Sequence, residues 1–561
     1  MEELKAGIAA VAKDVFDVTV EPATTRPDEQ FGDYATNVAL QLAKQLGKNP
    51  REVAEQLADG LRATLGEEVR EVSVAGPGFV NLRLSDGALW KTLERQPDLS
   101  LSGQKIVIET NNPNPFKDMH IGHAFNCILG DTIANLLEAG GADLHRVSYH
   151  GDVGLHVGKS MWAILEQIGH DPAKLDAIAE TDRPQFMSKA YARGADAYDT
   201  DPAAKAAIDE LAQQSFSLDD ETYKQVYETC KAWSFAYFDQ IFQRLGSQPT
   251  ERRYLEREAD AAGRQAVEAH LGTIFEKSDG AIIFPGEKYG SGLHTVVFIT
   301  QRGNTLYSAR DLGLIRLKTQ DYQPDGSYIV TAVEQKDYFN TMLKAAELAL
   351  PDLAINTRNI PTGTVKLSSG KMSSRKGTSV NIGWLIDAIT KALIERGGPS
   401  AGTSQSVIGA LRYQMLKVRI GSDVIIDINE AISLDGNSGP YLQYAHARAR
   451  SILGKHQAAS TNDQSSTNSQ ALMTELEAGE RSLLRKISEY PEAVEKAVAE
   501  LMPHHICTYL YELAQAFNRF YEHNRVIGHP RQPTRLRLVQ AYVQTLQSGL
   551  TTLGIPAPDH M

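Results

Sequence analysis

The sequence has little cysteine, no long apolar segment and no surplus of positive charge. Its three cysteines, Cys127, Cys230 and Cys507, are widely spaced, so they form neither a disulfide framework nor a CxxC pair typical of a metal site. No run approaches the ~20 apolar residues of a membrane span, and the charged start, Met1-Glu2-Glu3-Leu4-Lys5, is not typical of a secretion signal. These absences favour a cytoplasmic protein without a membrane segment or a structural metal.

The chain is acidic overall, with 70 Asp and Glu residues against 57 Lys and Arg and a net charge of −13. This charge is unfavourable for nucleic-acid binding, because phosphate contacts need Lys and Arg close to the strand. Net charge does not report a local patch, however. Basic and aromatic residues alternate in the C-terminal part, at Phe517, Arg519, Phe520, Tyr521, Arg525, Arg531, Arg535, Arg537 and Tyr542. Periodicity alone favours a helical core with a solvated face, whereas exposed aromatic rings would suit unstacked RNA bases.

Length and composition predict several domains. A chain of 561 residues that is 42% hydrophobic and 23% charged is long enough for about three or four of them. No repeat of fixed period is visible. The segment 456–470 (HQAASTNDQSSTNSQ) has almost no apolar residues, so it cannot contribute to a core and is predicted to be a loop between helices.

The most informative segment is 112–123 (NPNPFKDMHIGH), which places two histidines around a glycine. An apolar strand, Lys105 to Glu109, precedes it. Apolar residues at helical spacing then predict a helix from Ile121 to Ala139, and a second β-rich run covers Leu144 to Tyr149. Residues 104–150 therefore form one predicted βαβ unit, whose usual ligand site is the crevice at the carboxyl ends of the strands.

The two histidines stand where that crevice is expected. At a helix N-terminus the free backbone N–H groups favour phosphate oxygens, and imidazole N–H donors can bind the same oxygens. Gly122 leaves room for a nucleotide to approach the backbone. His120 and His123 could equally be ordinary loop and cap residues, because a lone H-x-G-H pattern often occurs by chance.

A second basic segment, 371–377 (KMSSRKG), follows a strand-like run, Thr364 to Ser369, and precedes a helix-like run, Asn381 to Ile394. Alone, it would be assigned as a solvated basic loop. Together the two segments resemble the HIGH and KMSKS motifs of class I aminoacyl-tRNA synthetases. Their order and their separation suit two halves of a Rossmann sheet divided by an insertion.

The resemblance narrows to the arginyl-tRNA synthetase family and extends over nearly the whole chain. Its motifs follow one another in the family's order. They are FGDYATN (31–37), GPGFVN (76–81), Pro113-Asn114 with Lys117, GDVG (151–154), Tyr307 with Asp311, YLQYAHAR (441–448) and LGIPAP (553–558). The implied activity is ATP-dependent ligation of L-arginine to tRNA(Arg) through an arginyl-adenylate, by a monomer.

The resemblance implies a set of arginine-binding residues: Asn114, Glu256, Tyr307, Asp311 and Gln335. Chemistry agrees, because a planar guanidinium needs carboxylates placed for forked hydrogen bonds. Tyr307 and Asp311 are four residues apart and would share a face if the segment is helical. The match at Glu256 is loose, and Glu258 is an alternative.

The resemblance also implies the nucleotide site and the catalytic groups. The catalytic residues would be Lys117, His120, His123 and Lys371. The ATP-binding residues would be His120, Gly122, His123, Lys371, Met372, Ser373 and Ser374, with Mg²⁺ arriving on the ATP. Ser374 stands where KMSKS has its second lysine, and Lys117 is the candidate replacement.

The implied fold is multidomain α/β. Residues 1–88 would form a small α+β domain that holds the tRNA elbow, and residues 89–425 a class I Rossmann-type catalytic domain with a helical insertion at about 160–290. Residues 426–561 would form an all-α anticodon-binding domain. The implied tRNA-binding residues are Phe79, Asn81, Tyr441, Gln443, Arg448 and Arg525.

Two other functions remain open at this level. A small nucleotidylyltransferase also uses an H-x-G-H element, but it would not explain the helical C-terminal part or the Tyr307/Asp311 pair. A catalytically silent tRNA-binding paralogue would share the domain layout. The presence of Lys117, His120, Gly122, His123 and Lys371 argues against it, because a silent copy has no physical reason to keep all five.

Overall fold

The computed structural model describes residues 2–354, 356–368, 380–397, 403–460 and 475–561. The chain divides into two compact units. The smaller unit contains residues 1–97, 448–493 and 509–547, and the larger unit contains residues 98–447, 494–508 and 548–561. No helix in the described ranges is long and apolar enough to cross a membrane.

The N-terminal residues of the smaller unit form a four-stranded antiparallel sheet, ordered β1-β2-β4-β3, with helices beside it. The elements are α1 (Glu2–Phe16), β1 (Thr24–Thr25), β2 (Tyr34–Thr36), α2 (Val38–Leu46), α3 (Pro50–Leu65), β3 (Val69–Ala75), β4 (Phe79–Leu84) and α4 (Asp86–Lys91). The sequence pattern predicts a helix over Pro50 to Leu65 and a strand over Phe79 to Leu84, and α3 and β4 confirm both. It also predicts a helix over Ala35 to Leu46, which was wrong at its start, because residues 34–36 pair with β4 and the helix begins after Asn37.

The FGDYATN segment serves to anchor this sheet within the smaller unit. The Asp33 carboxylate accepts a hydrogen bond of 2.5 Å from Arg481, whose guanidinium also donates to the Leu84 carbonyl and to Asp86. Arg481 and Asp33 are both buried. An ion pair in this setting depends on both partners, because a buried charge without its partner is costly.

The larger unit is built on a five-stranded parallel sheet ordered β12-β11-β5-β6-β7. In chain order, the elements from β5 to β12 are β5 (Lys105–Glu109), α5 (Ile121–Ala139), β6 (Asp143–His150), α6 (Leu155–Ile168), α7 (Arg183–Thr200), α8 (Pro202–Ser217), α9 (Glu221–Arg244), β7 (Arg252–Leu255), α10 (Glu256–Ala269), β8 (Glu276–Ser278), β9 (Ala281–Pro285), β10 (Thr295–Ile299), α11 (Tyr307–Tyr322), β11 (Gly326–Ala332), α12 (Lys336–Ala349), α13 (Pro351–Ala354) and β12 (Thr357–Thr362).

This strand order is that of the Rossmann fold, in which the first strand is central and the order reverses beside it. Ile106, Val107 and Ile108 of β5 are almost completely buried, as expected for a strand covered on both faces. The reversal lies between β5 and β11, so a ligand crevice is expected at their carboxyl ends. The predicted bounds of β5 and α5 are confirmed.

The region predicted as an insertion, 160–290, differs from a purely helical insert. It contains the helices α7, α8 and α9, but it also contains β7, which pairs in parallel with β6 and completes the sheet. The sequence of β7, RRYL, has no apolar run to mark a sheet strand. Beyond it, the antiparallel sheet β10-β9-β8 packs around buried Phe275, Phe284 and Phe298.

The remaining elements are mainly helical: β13 (Val365–Leu367), α14 (Ile382–Glu395), α15 (Thr403–Leu416), β14 (Val424–Ile426), α16 (Ile428–Ala431), α17 (Gly439–Ser460), α18 (Ala478–Ser488), α19 (Tyr490–Glu500), α20 (His504–His523) and α21 (Gln532–Thr552). The sequence pattern predicts one helix over residues 471–501. This prediction was wrong, because helical structure is interrupted at Glu489. In the predicted loop 456–470, residues 456–460 are helical and the others lie outside the described residues.

Candidate active site

The two motif histidines cap the first turn of α5. His120 is the N-cap residue, and its Nδ1 accepts a hydrogen bond of 3.2 Å from the Gly122 N–H. His123 Nδ1 accepts one of 3.2 Å from the His120 N–H, and the two rings stack with their centroids 3.8 Å apart. A Cβ on Gly122 would lie 3.0 Å from the His120 ring. Since each Nδ1 is an acceptor, the proton of each neutral imidazole is on Nε2.

Both imidazoles are neutral at pH 7. Burial, with Lys117 nearby, lowers the pKa of His120. Burial, followed by the neighbouring His120 and Lys117, lowers the pKa of His123 to about 3. The pair can therefore donate Nε2–H hydrogen bonds to an anion without adding positive charge, and any cationic stabilisation has to come from lysine or arginine.

The loops that follow β5 and β6 are tied together at the carboxyl edge of the sheet. Asn112 Oδ1 accepts from the Tyr149 N–H at 2.8 Å, and Asn114 Oδ1 accepts from the Gly151 N–H at 2.9 Å. A Cβ on Gly151 would lie 2.9 Å from Asn114 Oδ1 and 3.0 Å from Glu256 Oε1. Glycine is thus needed where these two predicted arginine ligands approach the backbone.

The chain returns to the histidine motif at Val380, just after the second predicted motif. The Ile121 N–H donates to the Val380 carbonyl at 2.9 Å, and the Ile382 N–H donates to the Met119 carbonyl at 3.3 Å. His120 and Asn381 thereby form an antiparallel bridge. The predicted ATP-binding residues Lys371, Met372, Ser373 and Ser374 lie outside the described residues.

Five carboxylates line the same cavity, those of Glu109, Asp209, Glu256, Asp311 and Glu334. Two of them pair with cations of the chain. Glu109, at the end of β5, pairs with Lys318 at 2.7 Å, and Glu256, at the start of α10, pairs with Arg310 at 3.2 Å. Asp311 instead accepts a hydrogen bond from the Tyr338 hydroxyl. Within the described part of the chain, no cationic side chain forms an ion pair with Asp311.

Asp311, which has no cationic partner among the described residues, also has a pKa close to neutral pH. Burial raises the pKa of Asp311 to about 7, and the charges of Glu109 and Glu256 act in the same direction against the Tyr338 hydrogen bond and Arg310. Burial likewise raises the pKa of Glu256, although Arg310 opposes the shift. A bound cation near Asp311 would favour its ionised form.

The structure distinguishes the two candidate acids near residue 256. Glu256 lines the cavity, whereas Glu258 pairs with Arg252 at 2.8 Å and is absent from the cavity wall. Tyr307 begins α11, is 51% exposed and packs edge-on against Tyr338 at 4.8 Å. The helix α11 confirms that residues 307–311 are helical.

Lys117 is half-buried, with its Nζ 5.3 Å from the centre of the Tyr191 ring. Burial lowers its pKa, and the neighbouring Lys159 adds to this effect while Glu256 opposes it. Lys159 is on α6 and lines the cavity. The site therefore has a second lysine near Lys117, which sequence reasoning did not identify.

The cavity measures about 1230 Å³, above the few hundred Å³ typical of a pocket for one small ligand. It brings together every described residue of the predicted arginine and ATP sites, whereas the predicted catalytic residue Lys117 is not part of its wall. Those residues are Asn114, His120, Gly122, His123, Glu256, Tyr307, Asp311 and Gln335. One space thus combines hydrogen-bond donors at a helix N-terminus with acids at the ends of neighbouring strands.

The predicted tRNA-binding residues are not equally accessible. Phe79 and Arg448 are exposed, and Arg448 lies 4.9 Å from the Tyr521 ring. Arg525 is exposed and donates to the Ile527 carbonyl. Tyr441 is half-buried at the start of α17, and Asn81 is 5% exposed.

Gln443 does not fit the predicted contact with tRNA. Its side chain is completely buried, and its amide donates to the carbonyls of Gln405 and Pro556 at 3.0 and 2.8 Å. It therefore holds two backbone segments of the larger unit. A second correction concerns the aromatic residues Phe517, Phe520 and Tyr542, which are at most 2% exposed and form part of a core. Periodicity alone gave the right interpretation of these rings.

Among the residues of the cavity wall that sequence reasoning missed are Glu109, Tyr149, Arg310 and Tyr338. An acid at the end of an apolar strand is a usable signal for Glu109. Arg310 stands between the predicted residues Tyr307 and Asp311, but an arginine beside an acid on a helix is usually exposed. Tyr149 and Tyr338 have no signal in the sequence pattern.

Three protein-family models match the chain. They are the arginyl tRNA synthetase N terminal domain over residues 2–84, the catalytic domain of class I (R) tRNA synthetases over residues 88–397, and the DALR anticodon binding domain over residues 442–561. The matches succeed one another along the chain without overlap.

Full-length relatives agree with these matches. The arginine–tRNA ligase of Frankia casuarinae is 30% identical over 96% of this chain and 94% of its own length, and that of Crocosphaera subtropica is 31% identical over 95% and 94%. The solved arginyl-tRNA synthetase of Thermus thermophilus superimposes over 100% of both chains, with a TM-score of 0.80 and 26% identity. That of Plasmodium falciparum, at 17% identity and a TM-score of 0.78, has the same fold.

Proposed function

The chain belongs to the arginyl-tRNA synthetase family, and on that premise we propose that it ligates L-arginine to tRNA(Arg) with consumption of ATP. One observation carries the proposal. A single cavity presents the Nε2–H groups of His120 and His123 on one side and a carboxylate without a cationic partner, Asp311, on the other. These are the two kinds of group that a polyphosphate and a guanidinium require.

In the first step, an oxygen of the arginine carboxylate attacks the α-phosphorus of ATP. The new P–O bond gives arginyl-adenylate, and the bond to the leaving pyrophosphate breaks. His120 and His123 donate hydrogen bonds to phosphate oxygens, and Lys117 supplies positive charge as negative charge builds up. Catalysis then consists mainly of positioning and charge stabilisation, with no covalent bond to the protein.

The proposed arginine site uses Asp311 as the main partner of the guanidinium. Glu256 contributes its remaining oxygen, and Tyr307 covers the hydrocarbon stem. Asn114, whose side-chain oxygen already accepts from Gly151, has its amide N–H groups for the amino-acid backbone or nearby acceptors. Gln335 is exposed in the short 3-10 turn that follows β11 and lines the same cavity.

In the second step, the 2′-OH of the terminal ribose of tRNA attacks the activated carbonyl, and AMP leaves. Phe79, Tyr441, Arg448 and Arg525 are the proposed tRNA contacts. Mg²⁺ enters with ATP as part of the substrate. We propose Lys371, Met372, Ser373 and Ser374 as further ATP contacts.

The test is charging of total tRNA with each of the twenty amino acids by the full-length chain, with the Asp311→Asn variant as a matched control. We expect charging with arginine alone, and a loss of at least tenfold in the control because the uncompensated carboxylate is removed. A tRNA-binding paralogue without catalysis would charge none of them. Charging with a different amino acid would overturn the proposal.

A further inference from the structure

The hydroxyl of Tyr149 is an unexplained polar group in the wall of the cavity. Tyr149 lies near the end of β6, and its oxygen is buried without a hydrogen-bond partner among the residues the structure describes. Arg310 Nε and Nη1 are in the same situation. The arginine atoms can only donate, so the tyrosine oxygen is the one of these three that can accept. A buried polar group without a partner is costly.

The surroundings of this hydroxyl are anionic. Burial, together with the charges of Glu256, Asp311 and Glu109, holds the pKa of Tyr149 well above its usual range, against the opposing effect of Arg310. Tyr149 is therefore neutral at pH 7. A neutral hydroxyl between carboxylates lies where a cation would be attracted, and its oxygen can accept a hydrogen bond from that cation.

The donors of the substrate exceed the free carboxylate oxygens of the pocket. A guanidinium has five N–H donors. Tyr338 donates to Asp311 Oδ2, and Arg310 approaches Glu256 Oε2. Among Glu109, Glu256 and Asp311, this leaves Asp311 Oδ1 and Glu256 Oε1 as the oxygens without a donor in the described part of the protein. A guanidinium bound there would therefore need further hydrogen-bond acceptors besides these two oxygens.

We propose that Tyr149 is a specificity-determining contact of the arginine site, where its hydroxyl oxygen accepts an N–H of the substrate guanidinium held by Asp311 and Glu256. This inference rests on the proposed function and adds a residue to it. No proton is transferred and no covalent bond changes. The hydroxyl has no partner among the residues that the structure describes, and it gains one in the complex.

This difference gives Tyr149 a signature that a structural tyrosine lacks. Removal of a hydroxyl that has no partner costs the free protein no hydrogen bond, whereas removal of a partnered one does. Tyr149→Phe should therefore leave the free protein as stable as before, or more stable, and weaken only the complex. Replacement by phenylalanine keeps the aromatic ring in its packing.

The experiment compares the full-length wild type and Tyr149→Phe by isothermal titration with L-arginine and by thermal unfolding with and without L-arginine. We expect the Kd for arginine to rise about tenfold or more, since a hydrogen bond to a charged group is lost. The unfolding midpoint without ligand should not fall. The rise in midpoint caused by arginine should be smaller than in the wild type, and the Kd for ATP should be unchanged.

Tyr223→Phe is the matched control in the same unit. Tyr223 is 1% exposed on α9, and its hydroxyl donates to the Leu211 carbonyl at 3.0 Å. Its loss should lower the unfolding midpoint and leave the Kd for arginine unchanged.

A Tyr149→Phe protein that binds arginine like the wild type would overturn the inference. So would a variant whose ligand-free midpoint falls as in Tyr223→Phe, because the hydroxyl would then have a structural role. If the wild type itself bound no arginine, the proposed function would fail, and the inference with it.

Discussion

At the scale of single residues, the site is organised by the matching of charges. Lys318 and Arg310 neutralise Glu109 and Glu256, and the carboxylate of Asp311 is left for a cation from outside. A carboxylate that pairs with no cation of the described residues suits a substrate with a permanently charged side chain. The same arrangement makes substrate binding depend on the protonation of Asp311.

The affinity for arginine should therefore depend on pH. The pKa of Asp311 is raised to about 7, so the free pocket holds a neutral carboxyl below that value and a carboxylate above it. The guanidinium requires the carboxylate, and we expect the Kd for L-arginine to rise about tenfold for each pH unit below 7. Titration calorimetry in buffers of different ionisation enthalpy should also show proton release on binding at pH 7. Asp311→Asn should bind weakly at every pH. A Kd that stays constant between about pH 5.5 and 8 would contradict this prediction.

Lys117 should act on the chemical step. Its positive charge contributes to the lowered pKa values of both histidines. Lys117→Ala should lower the rate of ATP–pyrophosphate exchange by on the order of 10² or more, with little change in the Kd for arginine, because a transition-state contact is lost.

The matched control for Lys117 is Lys205→Ala. Lys205 also lies over a tyrosine ring, that of Tyr198 at 5.0 Å, but it is not part of the cavity wall. We expect an unchanged exchange rate in the control. Near wild-type exchange in Lys117→Ala would show that another group provides the charge.

At the scale of elements, two helices set the spacing of the arginine site. Glu256 is the first residue of α10, and Tyr307 is the first of α11. The helices touch at backbone distance, because a Cβ on Gly263 would collide with the Ala309 carbonyl and a Cβ on Gly313 with the Ala259 carbonyl. Gly263 and Gly313 therefore control the distance between the carboxylates of Glu256 and Asp311, although both glycines are remote from the proposed arginine site.

Gly263→Ala should accordingly weaken arginine binding without removing any ligand. The added methyl group forces α10 and α11 apart, and we expect the KM for arginine to rise about tenfold or more while the KM for ATP changes little. The free energy of unfolding should also fall by about 1–3 kcal/mol through overpacking. Steady-state charging kinetics and urea unfolding measure the two effects.

The matched control for this change is Gly454→Ala. Gly454 is also helical, in α17, but a Cβ there would meet nothing within 4 Å. The usual preference of helices for alanine should then stabilise the protein slightly. Equal KM values for arginine in the wild type and Gly263→Ala would rule out this role of the glycines.

The elements also show what the sequence could predict. The bounds of α3, β4, β5 and α5 follow from apolar periodicity and from Pro and Gly at their ends, which are local signals. The strand β2 depends on a partner distant in sequence, whereas the interruption at Glu489 has a local signal in Pro491, because proline disfavours a continuous helix through the residues before it. Within the site, Arg310 and Tyr149 were missed for the same reason as β2, since their environment exists only after α10, α11 and β6 have packed.

At the scale of the whole molecule, Arg412 connects distant parts of the larger unit. It is completely buried, and its guanidinium donates to Asp131 and Thr132 on α5, to the carbonyls of Leu245 and Gly246, and to the Leu553 carbonyl. The LGIPAP segment near the end of the chain thus meets the helix that carries the histidine pair.

Arg412→Met should destabilise the larger unit strongly. Methionine fills similar space but leaves the Asp131 carboxylate buried and without this partner, and we expect a loss of about 3–5 kcal/mol in the free energy of unfolding. Urea unfolding followed by circular dichroism measures it. Arg244→Met, which removes an exposed pair with Asp387, should cost less than about 1 kcal/mol. Similar losses in the two variants would show that the buried network contributes little.

The locked tautomers of the histidine pair have a consequence for the whole reaction. Because backbone N–H groups occupy both Nδ1 atoms and the pKa of His123 is about 3, the nucleotide half of the cavity keeps its donors through any mild acidification. The proposed amino-acid half loses its charge in the same range, since the Asp311 carboxylate gains a proton near pH 7. When the pH falls, we therefore expect the proposed affinity for ATP to stay the same while the affinity for arginine decreases. The charging of tRNA would then slow because of the weaker binding of the amino acid alone.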